Sequence, residues 1–376
     1  MDREISPPPA KRRKLIQESS STGLDSPSPE IPGPPDPNTM HIFSWNINRI
    51  SHFLQKSITS FLKTSPKSSA TREGMPQASL RDFLRRHHWP AVLLLQEVKI
   101  ATKDTKTQNA VCAAINASSS TGNTEPQYEA HFTLPADPHN ARGPRGSGKV
   151  YGVCSIVRRN LREKYQVNFR TVNWDNEGRI SVVELKTDAE NLAVFNIYAV
   201  NGTDNPYRDP ETGVQRGTRH DRKLAFHKAL ADEAQVLEEG GWNVLLGGDM
   251  NVAPDTRDGH PKLRTFPRQH SINRADFHDK LLESGEDGKR FHGVDVWRKM
   301  HAEERRYTYY PRGREWGTSC DRVDYFIAGK KAWDSGIVKD CGILNSEEER
   351  GPSDHVPIWV DIAFQSESKE EEVTPK

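Results

Sequence analysis

The chain has 376 residues, a formal net charge of +1 and 34% apolar side chains. That length holds one large or two average domains with a substantial core, and near-neutrality excludes global charge as a source of nucleic-acid affinity, which must come from local patches. Four separated cysteines, Cys112, Cys154, Cys320 and Cys341, form no C-x-x-C pair and read as reduced structural thiols, not as a disulfide framework or zinc site.

Residues 1–39 contain nine of the 25 prolines and almost no large apolar side chains. Such a segment cannot bury enough surface to offset its ordering entropy, so disorder is expected. Its "PPPAKRRKL" reads as a nuclear localisation signal, which makes the nucleus the expected location. No signal-peptide core is present, and no apolar run approaches the ~18 residues of a membrane span, so a soluble intracellular protein without a membrane partner is expected. Residues 40–365 read as the folded domain and 366–376 as an acidic tail.

Within the folded part, "HIFSWNI", "AVLLLQEV", "VYGVCSIV", "ISVVELK", "LAVFNIYAV", "NVLLGGDMNV", "VDYFIAG" and "VPIWVDIAF" have the length and Val/Ile/aromatic content of strands. Helical spacing is clearest over 79–88 and 220–239, where Phe226, Leu230, Ala234 and Leu237 recur at steps of four and three. Trp45 reads as core, and His87 and His88 as surface residues at a helix end. The polar, aperiodic stretches 56–78 and 116–127 read as surface loops. Several strands follow one another without a helix between them, which favours packed sheets with helices outside over a doubly wound repeat.

"RGPRGSGKVYGV", residues 142–153, imitates a phosphate-binding P-loop through Gly143, Gly148 and Lys149. The imitation fails on chemistry. A P-loop requires Ser or Thr after the lysine and a helix whose N-terminus receives phosphate, whereas Val150 follows Lys149 and the next segment reads as a strand.

Four apolar strands end in, or are entered from, residues that a core would not choose. "HIFSWN" delivers Asn46, with Asn48 at period two; "AVLLLQE" delivers Glu97; "NVLLGGDMN" delivers Asp249 and Asn251; "GPSDH" places Asp354 and His355 before the last strand. A carboxylate at the edge of a buried strand is costly unless it is paired, hydrogen-bonded or bound to a metal. Together these residues suggest convergence on an oxygen-rich site for a hard cation such as Mg²⁺.

"SWNIN", "LLLQEVK", "IYAVNG", "GGDMNVAP", "DRVDYF" and "PSDHVPI" occur in the order seen in the endonuclease/exonuclease/phosphatase superfamily. Over about residues 40–365 the chain resembles its exonuclease III / apurinic-apyrimidinic (AP) endonuclease branch. The resemblance implies a DNase I-like, four-layered α/β sandwich: two packed mixed β-sheets flanked by helices. It implies a Mg²⁺ ion, replaceable by Mn²⁺, surrounded by Asn46, Asn48, Glu97, Asp249, Asn251, Asp354 and His355. Asp249 would activate water, and Asn251 would hold that carboxylate and the phosphate. His355, oriented by Asp324, would donate to a phosphate oxygen, with Tyr198 and Asn201 beside the same group. Lys99, Arg142, Arg145, Lys149 and Tyr151 would contact DNA. The implied activity is incision of duplex DNA 5′ to an abasic site by a monomer, leaving a 3′-hydroxyl, with 3′→5′ exonuclease or 3′-end-cleaning activity, on abasic or damaged 3′ ends.

Some positions depart from that branch. Arg49 stands where glycine usually follows "SWNIN", "QEV" replaces Q-E-T, and no phenylalanine-threonine-proline turn follows "GGDMN". Asp321 stands where an aromatic residue often precedes the R-x-D strand. Sister phosphodiesterases therefore stay open, among them 5′-tyrosyl-DNA phosphodiesterases, DNase I-like nucleases and inositol-phosphate phosphatases. A non-catalytic nuclear scaffold with the same fold is a further alternative.

Overall fold

The structure, a computed structural model, describes residues 33, 36, 38–54, 78–117, 125–141, 151–282 and 291–364. The basic cluster at 11–14, most of 56–78 and of 116–127, the loop carrying Arg142, Arg145 and Lys149, and the acidic tail lie outside the described residues.

In chain order the first strands are β1 (Met40–Asn46), β2 (Val92–Gln96), β3 (Tyr128–Thr133), β4 (Val153–Arg158), β5 (Gln166–Arg170), β6 (Ile180–Lys186), β7 (Asn191–Tyr198), β8 (Pro206–Arg208) and β9 (Gln215–Thr218). The remainder are β10 (Asn243–Asp249), β11 (Gly259–His260), β12 (Val294–Asp295), β13 (Cys320–Asp321), β14 (Asp324–Ala328), β15 (Val338–Ile343) and β16 (Ile358–Ile362). They build two six-stranded sheets, ordered β15-β16-β1-β2-β4-β3 and β12-β14-β10-β7-β6-β5, and two small ribbons, β8-β9 and β11-β13. Each large sheet is mixed, with a central parallel pair (β1 with β2, β7 with β10) between antiparallel neighbours. This is the sandwich expected from the sequence.

Alternation along each strand divides the core into layers. Ile42, Val92, Leu94, Val194, Leu245, Phe326 and Val360 face the opposite sheet and form the central core. Their neighbours in sequence point outwards, Phe43, Trp45, Leu93 and Leu95 to one flank and Phe195, Leu246 and Ile327 to the other. Helix α1 (Leu80–Arg86) covers the first flank; its N-cap Ser79 accepts from the Asp82 amide. Thr105–Ile115 forms α2 on the same side. The expected long helix is α3 (Arg219–Glu239), started by a capping box between Thr218 and Asp221. It packs Phe226, Leu230 and Ala234 on the second flank, followed by α4 (Gln269–Phe277).

His87 departs from expectation. It is fully buried beside Phe43 and Phe83, with Nε2 3.0 Å from Glu349, so it is a core histidine, while its neighbour His88 is exposed. α2, α4 and the strands β3, β5 and β15 were not legible in the hydrophobic pattern. β3, β5 and β15 are partly solvated edge strands, with half-buried or exposed residues where a central strand would be uniformly buried.

Candidate active site

Strand direction brings the functional side chains together. Asn46 pairs with Gln96 in the parallel β1/β2 register, Asp249 pairs with Tyr198 across β10/β7, and Asp249 pairs with Asp324 across β10/β14. Both sheets therefore end their parallel pairs at one edge of the sandwich. On the inner face the rungs change character toward that edge. Ile42, Leu94 and Val194 are apolar; two residues further along each strand Ser44, Gln96 and Asn196 are polar; Asn46 and Tyr198 follow two residues later in β1 and β7.

The polar rung is bonded across the two sheets. Gln96 Nε2 donates to Ser44 Oγ at 3.0 Å and to Asn196 Oδ1 at 2.8 Å. Asn196 Nδ2 donates to Ser155 Oγ at 3.2 Å, and the Ser155 and Ser181 hydroxyls meet at 2.8 Å. In β10 two glycines make room: a Cβ on Gly247 would lie 2.5 Å from the Phe326 ring, and Gly248, at φ +142°, would drive one into the Ile197 carbonyl.

Asp249 is 1% exposed. Asn46 Nδ2 donates to its Oδ2 at 3.0 Å, and the Asn251 amide donates to its Oδ1 at 2.8 Å. Asn251 Nδ2 reaches the same carboxylate at 3.3 Å and Ala199 O at 2.9 Å. Burial, then the neighbouring Asp324 carboxylate, push Asp249 up to about 7 despite His355 and these donors. A carboxylate so placed is a competent base near neutral pH.

His355 Nδ1 lies 2.7 Å from Asp324 Oδ2. Thr308 Oγ1 accepts from the Asp324 and Val323 amides at 3.0 Å, and Trp45 Nε1 donates to His355 O at 2.9 Å. Burial alone would depress the imidazole, but Asp324, through charge and hydrogen bond, and then Asp249 and Asp354 lift it to about 10. Trp45 is thus core, as expected, and also fixes the His355 backbone.

Glu97 and Asp354 stand at the other side of the cleft. The Tyr198 hydroxyl donates to Glu97 Oε1, and the Lys99 ammonium lies 2.7 Å from Oε2 while also donating to Asn48 Oδ1. Asn48 Nδ2 donates to Asp354 Oδ1 at 2.9 Å, and its amide donates to Asn46 Oδ1 at 3.0 Å. Burial and the Glu97 charge hold the Tyr198 hydroxyl well above its usual range, so it keeps its proton. Asn48, Arg49, Glu97, Lys99 and Asn251 all have left-handed backbone, at φ 48°, 128°, 50°, 54° and 53°. Non-glycine residues seldom adopt that region, and the strain is concentrated where the site is built.

Two sets of groups could face a cation. Among the described residues, ligand atoms of Asp249, Asp324 and His355 lie within 4.8 Å of one another. There Asp324 occupies His355 Nδ1 and leaves Nε2 as the imidazole nitrogen open to a ligand. Glu97, Asn48 and Asp354 offer hard oxygen donors of the kind Mg²⁺ takes, and an ammonium already bridges two of them. Both donor sets fit a divalent ion, the Glu97 side through hard oxygens and the Asp249–Asp324–His355 cluster through carboxylates and an imidazole.

Tyr198, Asn201, Asp249, Asn251, Glu97, Asp354 and His355 line one cleft of about 280 Å³. Asn201 is exposed at this cleft. The Tyr151 ring lies 3.9 Å from the Arg179 guanidinium and 5.9 Å from the Tyr198 ring, next to the site. Asn46, Asn48, Lys99 and Asp324 meet the cleft residues through the bonds above.

Sequence reasoning missed Lys223, Arg179 and Tyr309. Lys223 Nζ donates to Asn251 O at 2.8 Å, and burial pulls its pKa down to about 7. Its signal was present, because Lys223 stands three residues before Phe226 on the buried stripe of α3. Arg179 is 1% exposed and donates to Tyr198 O at 3.1 Å and Ala199 O at 3.2 Å. Tyr309 packs its ring 5.0 Å from that of His355.

The architecture recurs in solved structures. The AP endonuclease LMAP from Leishmania major aligns with a TM-score of 0.59 and 16% identity over 88% of this chain and 90% of its own. The Xenopus laevis APE2 catalytic domain aligns with a TM-score of 0.55 and 18% identity over 88% and 94%. At these identities the likeness is one of fold. Comparison with curated proteins gives no match. The sequence model of the Endonuclease/Exonuclease/phosphatase family matches residues 43–355, a span that begins in β1 and ends on His355. The chain belongs to the endonuclease/exonuclease/phosphatase family.

Proposed function

We propose that the chain is a divalent-metal-dependent DNA phosphodiesterase of the AP endonuclease kind, which cleaves the P–O3′ bond on the 5′ side of an abasic nucleotide and cleans 3′ ends at the same site. The observation that carries this reading is the meeting of a raised carboxylate, Asp249, and a protonated imidazole, His355, across one cleft from Glu97.

The residues divide the work of hydrolysis. Asp249 takes a proton from the attacking water as the water oxygen bonds to phosphorus, and Asn46 and Asn251 hold that carboxylate in place. His355 donates toward a non-bridging oxygen as negative charge grows there, and Asp324 keeps the imidazolium oriented. Tyr198 stays protonated next to the phosphate, with Asn201 at the rim. The P–O3′ bond breaks and leaves a 3′-hydroxyl. A Mg²⁺ or Mn²⁺ ion held by Glu97, with Asn48 and Asp354, would supply Lewis-acid stabilisation of the leaving oxygen. Duplex DNA is the expected partner, because an abasic nucleotide has lost its stacking and pairing and is cheap to extrude.

The test is a duplex with one tetrahydrofuran abasic analogue, incubated with purified chain and Mg²⁺, Mn²⁺ or EDTA. Metal-dependent incision at the 5′ side, with a 3′-hydroxyl product, is the expected result. Faster cleavage of a 5′-phosphotyrosyl end would move the protein to a sister branch. The "KRRK" cluster supports nuclear delivery, to be checked by the location of a tagged chain lacking residues 1–39.

A further inference from the structure

The cleft continues past His355 and Asp249 into a pocket whose wall includes Arg264, His270, Arg274, Tyr309, Asp321 and Val323. A pocket shaped for an uncharged sugar would be lined by apolar and aromatic side chains. This wall instead opposes two guanidiniums to one carboxylate. Arg264 lies 2.8 Å from Asp321 Oδ2, its own side chain 51% exposed.

Arg274 has a different environment. Its Nε donates to Ala253 O at 2.7 Å and one terminal nitrogen donates to Arg264 O at 2.9 Å. These bonds to backbone carbonyls fix the plane of the guanidinium without neutralising it. Among the described residues no carboxylate lies within ion-pair distance of Arg274, which is half-buried. α4 carries it on a regular helix, and the preceding Asn273 is itself tied to His220 at 3.0 Å, so the group is held by rigid structure. A half-buried, immobilised guanidinium that touches no carboxylate, and shares the more distant charge of Asp321 with Arg264, is poised for an oxyanion, which it can meet with a charge-assisted and planar hydrogen-bond geometry.

We propose that Arg274, backed by the Arg264–Asp321 pair, forms an anion subsite beside the scissile phosphate, which takes a carboxylate or phosphate on the substituent that this phosphate retains. The inference rests on the phosphodiesterase reading above and ranks its substrates. The anion has two possible sources: a terminal remnant such as the glycolate of a damaged 3′ end, or the backbone phosphate downstream of an internal abasic nucleotide.

Three duplexes distinguish them: one ending in a 3′-phosphoglycolate, one ending in the uncharged 3′-(2-hydroxyethyl) phosphate, and one with an internal tetrahydrofuran. All rates are read as kcat/KM relative to the hydroxyethyl end, with Mg²⁺. The wild-type protein should prefer the glycolate end by about tenfold or more, the scale of a hydrogen bond to a charged group. Arg274→Gln should bring that ratio to about one, and Arg274→Lys, which keeps the charge, should retain part of it. If Arg274→Gln lowers the tetrahydrofuran ratio and not the glycolate ratio, the subsite holds backbone phosphate. If Arg274→Gln changes neither ratio, there is no anion subsite. Failure of the wild-type protein to hydrolyse any of the three with Mg²⁺ would instead overturn the phosphodiesterase reading.

Discussion

His355 gives Nδ1 to the Asp324 carboxylate at 2.7 Å, in a pair that is buried on both sides. The remaining nitrogen, Nε2, is therefore the one available to a ligand in the cleft, and with the imidazole lifted to about 10 it carries a proton near neutral pH. Asp324 is in turn fixed through its amide by Thr308. A carboxylate one residue pair away, Asp249, sits directly opposite Asp324 in the β10/β14 register. The base and the carboxylate that orients the acid thus come from adjacent strands, while His355 itself stands in the segment that leads into β16 of the other sheet.

Asp324→Asn keeps the volume but turns an acceptor into a mixed donor and acceptor, so the imidazole loses its charge partner and its fixed orientation. We expect kcat to fall by about 10²-fold or more, with duplex affinity little changed. Single-turnover rates alongside fluorescence anisotropy separate the two. An affinity that fell in step with kcat would make the pair a binding element.

Lys99 and a divalent ion compete for the same oxygens. The ammonium lies 2.7 Å from Glu97 Oε2 and also bonds Asn48. Lys99→Met should tighten Mn²⁺ binding by about tenfold, since a repulsive charge and a competing donor are removed together. Titration calorimetry without DNA reads this directly, and an unchanged Kd would mean that the two cations occupy separate oxygens.

Acid should destabilise the fold through Glu177. Burial works against ionisation there, but Arg179, Arg219 and Arg222 overcome it and bring the carboxyl from an ordinary 4.5 to about 2. A folded pKa below the unfolded one gives stability that is complete above the unfolded value and is lost as pH falls from about 5 toward 2. Urea midpoints across that range should drop. In Glu177→Gln the drop should be shallower, from a lower plateau because the buried Arg179 and Arg219 lose their counter-charge and Arg222 keeps only Asp175.

Gln96→Leu should cost about 1–3 kcal/mol, because Asn196 Oδ1 and the Ser44 hydroxyl lose a buried donor. Urea unfolding measures it. A neutral result would mean that the polar rung repairs itself with water.

How far the sequence was legible follows from where each residue sits. Asn46, Glu97, Asp249 and His355 announced themselves because each breaks an apolar run at a strand end. The central strands were readable for the same reason, being buried on both faces. Gln96 was hidden inside the same motif as Glu97, since a single polar residue in an apolar strand gives no sign of which partners lie in the other sheet. Arg264, Arg274 and Tyr309 were invisible as a group. They come from a connecting segment, a short helix and a polar loop that only tertiary packing brings to one wall. His87 was misread because a polar residue at a helix end looks solvated unless its distant partner, Glu349, is known.

The placement of β16 has a consequence for the protein while it is being made. This strand lies between β15 and β1, inside its sheet, yet it is the last strand of the described fold, and Asp354 and His355 stand just before it. β1, the first strand to leave the ribosome, therefore waits for a partner more than three hundred residues later, as the pairing of Met40 with Ile362 records. Until that long-range pairing closes, a nascent chain can hold Asp249 and Glu97 but cannot oppose them with a protonated imidazole. A partly synthesised or C-terminally clipped chain thus holds only half of the site.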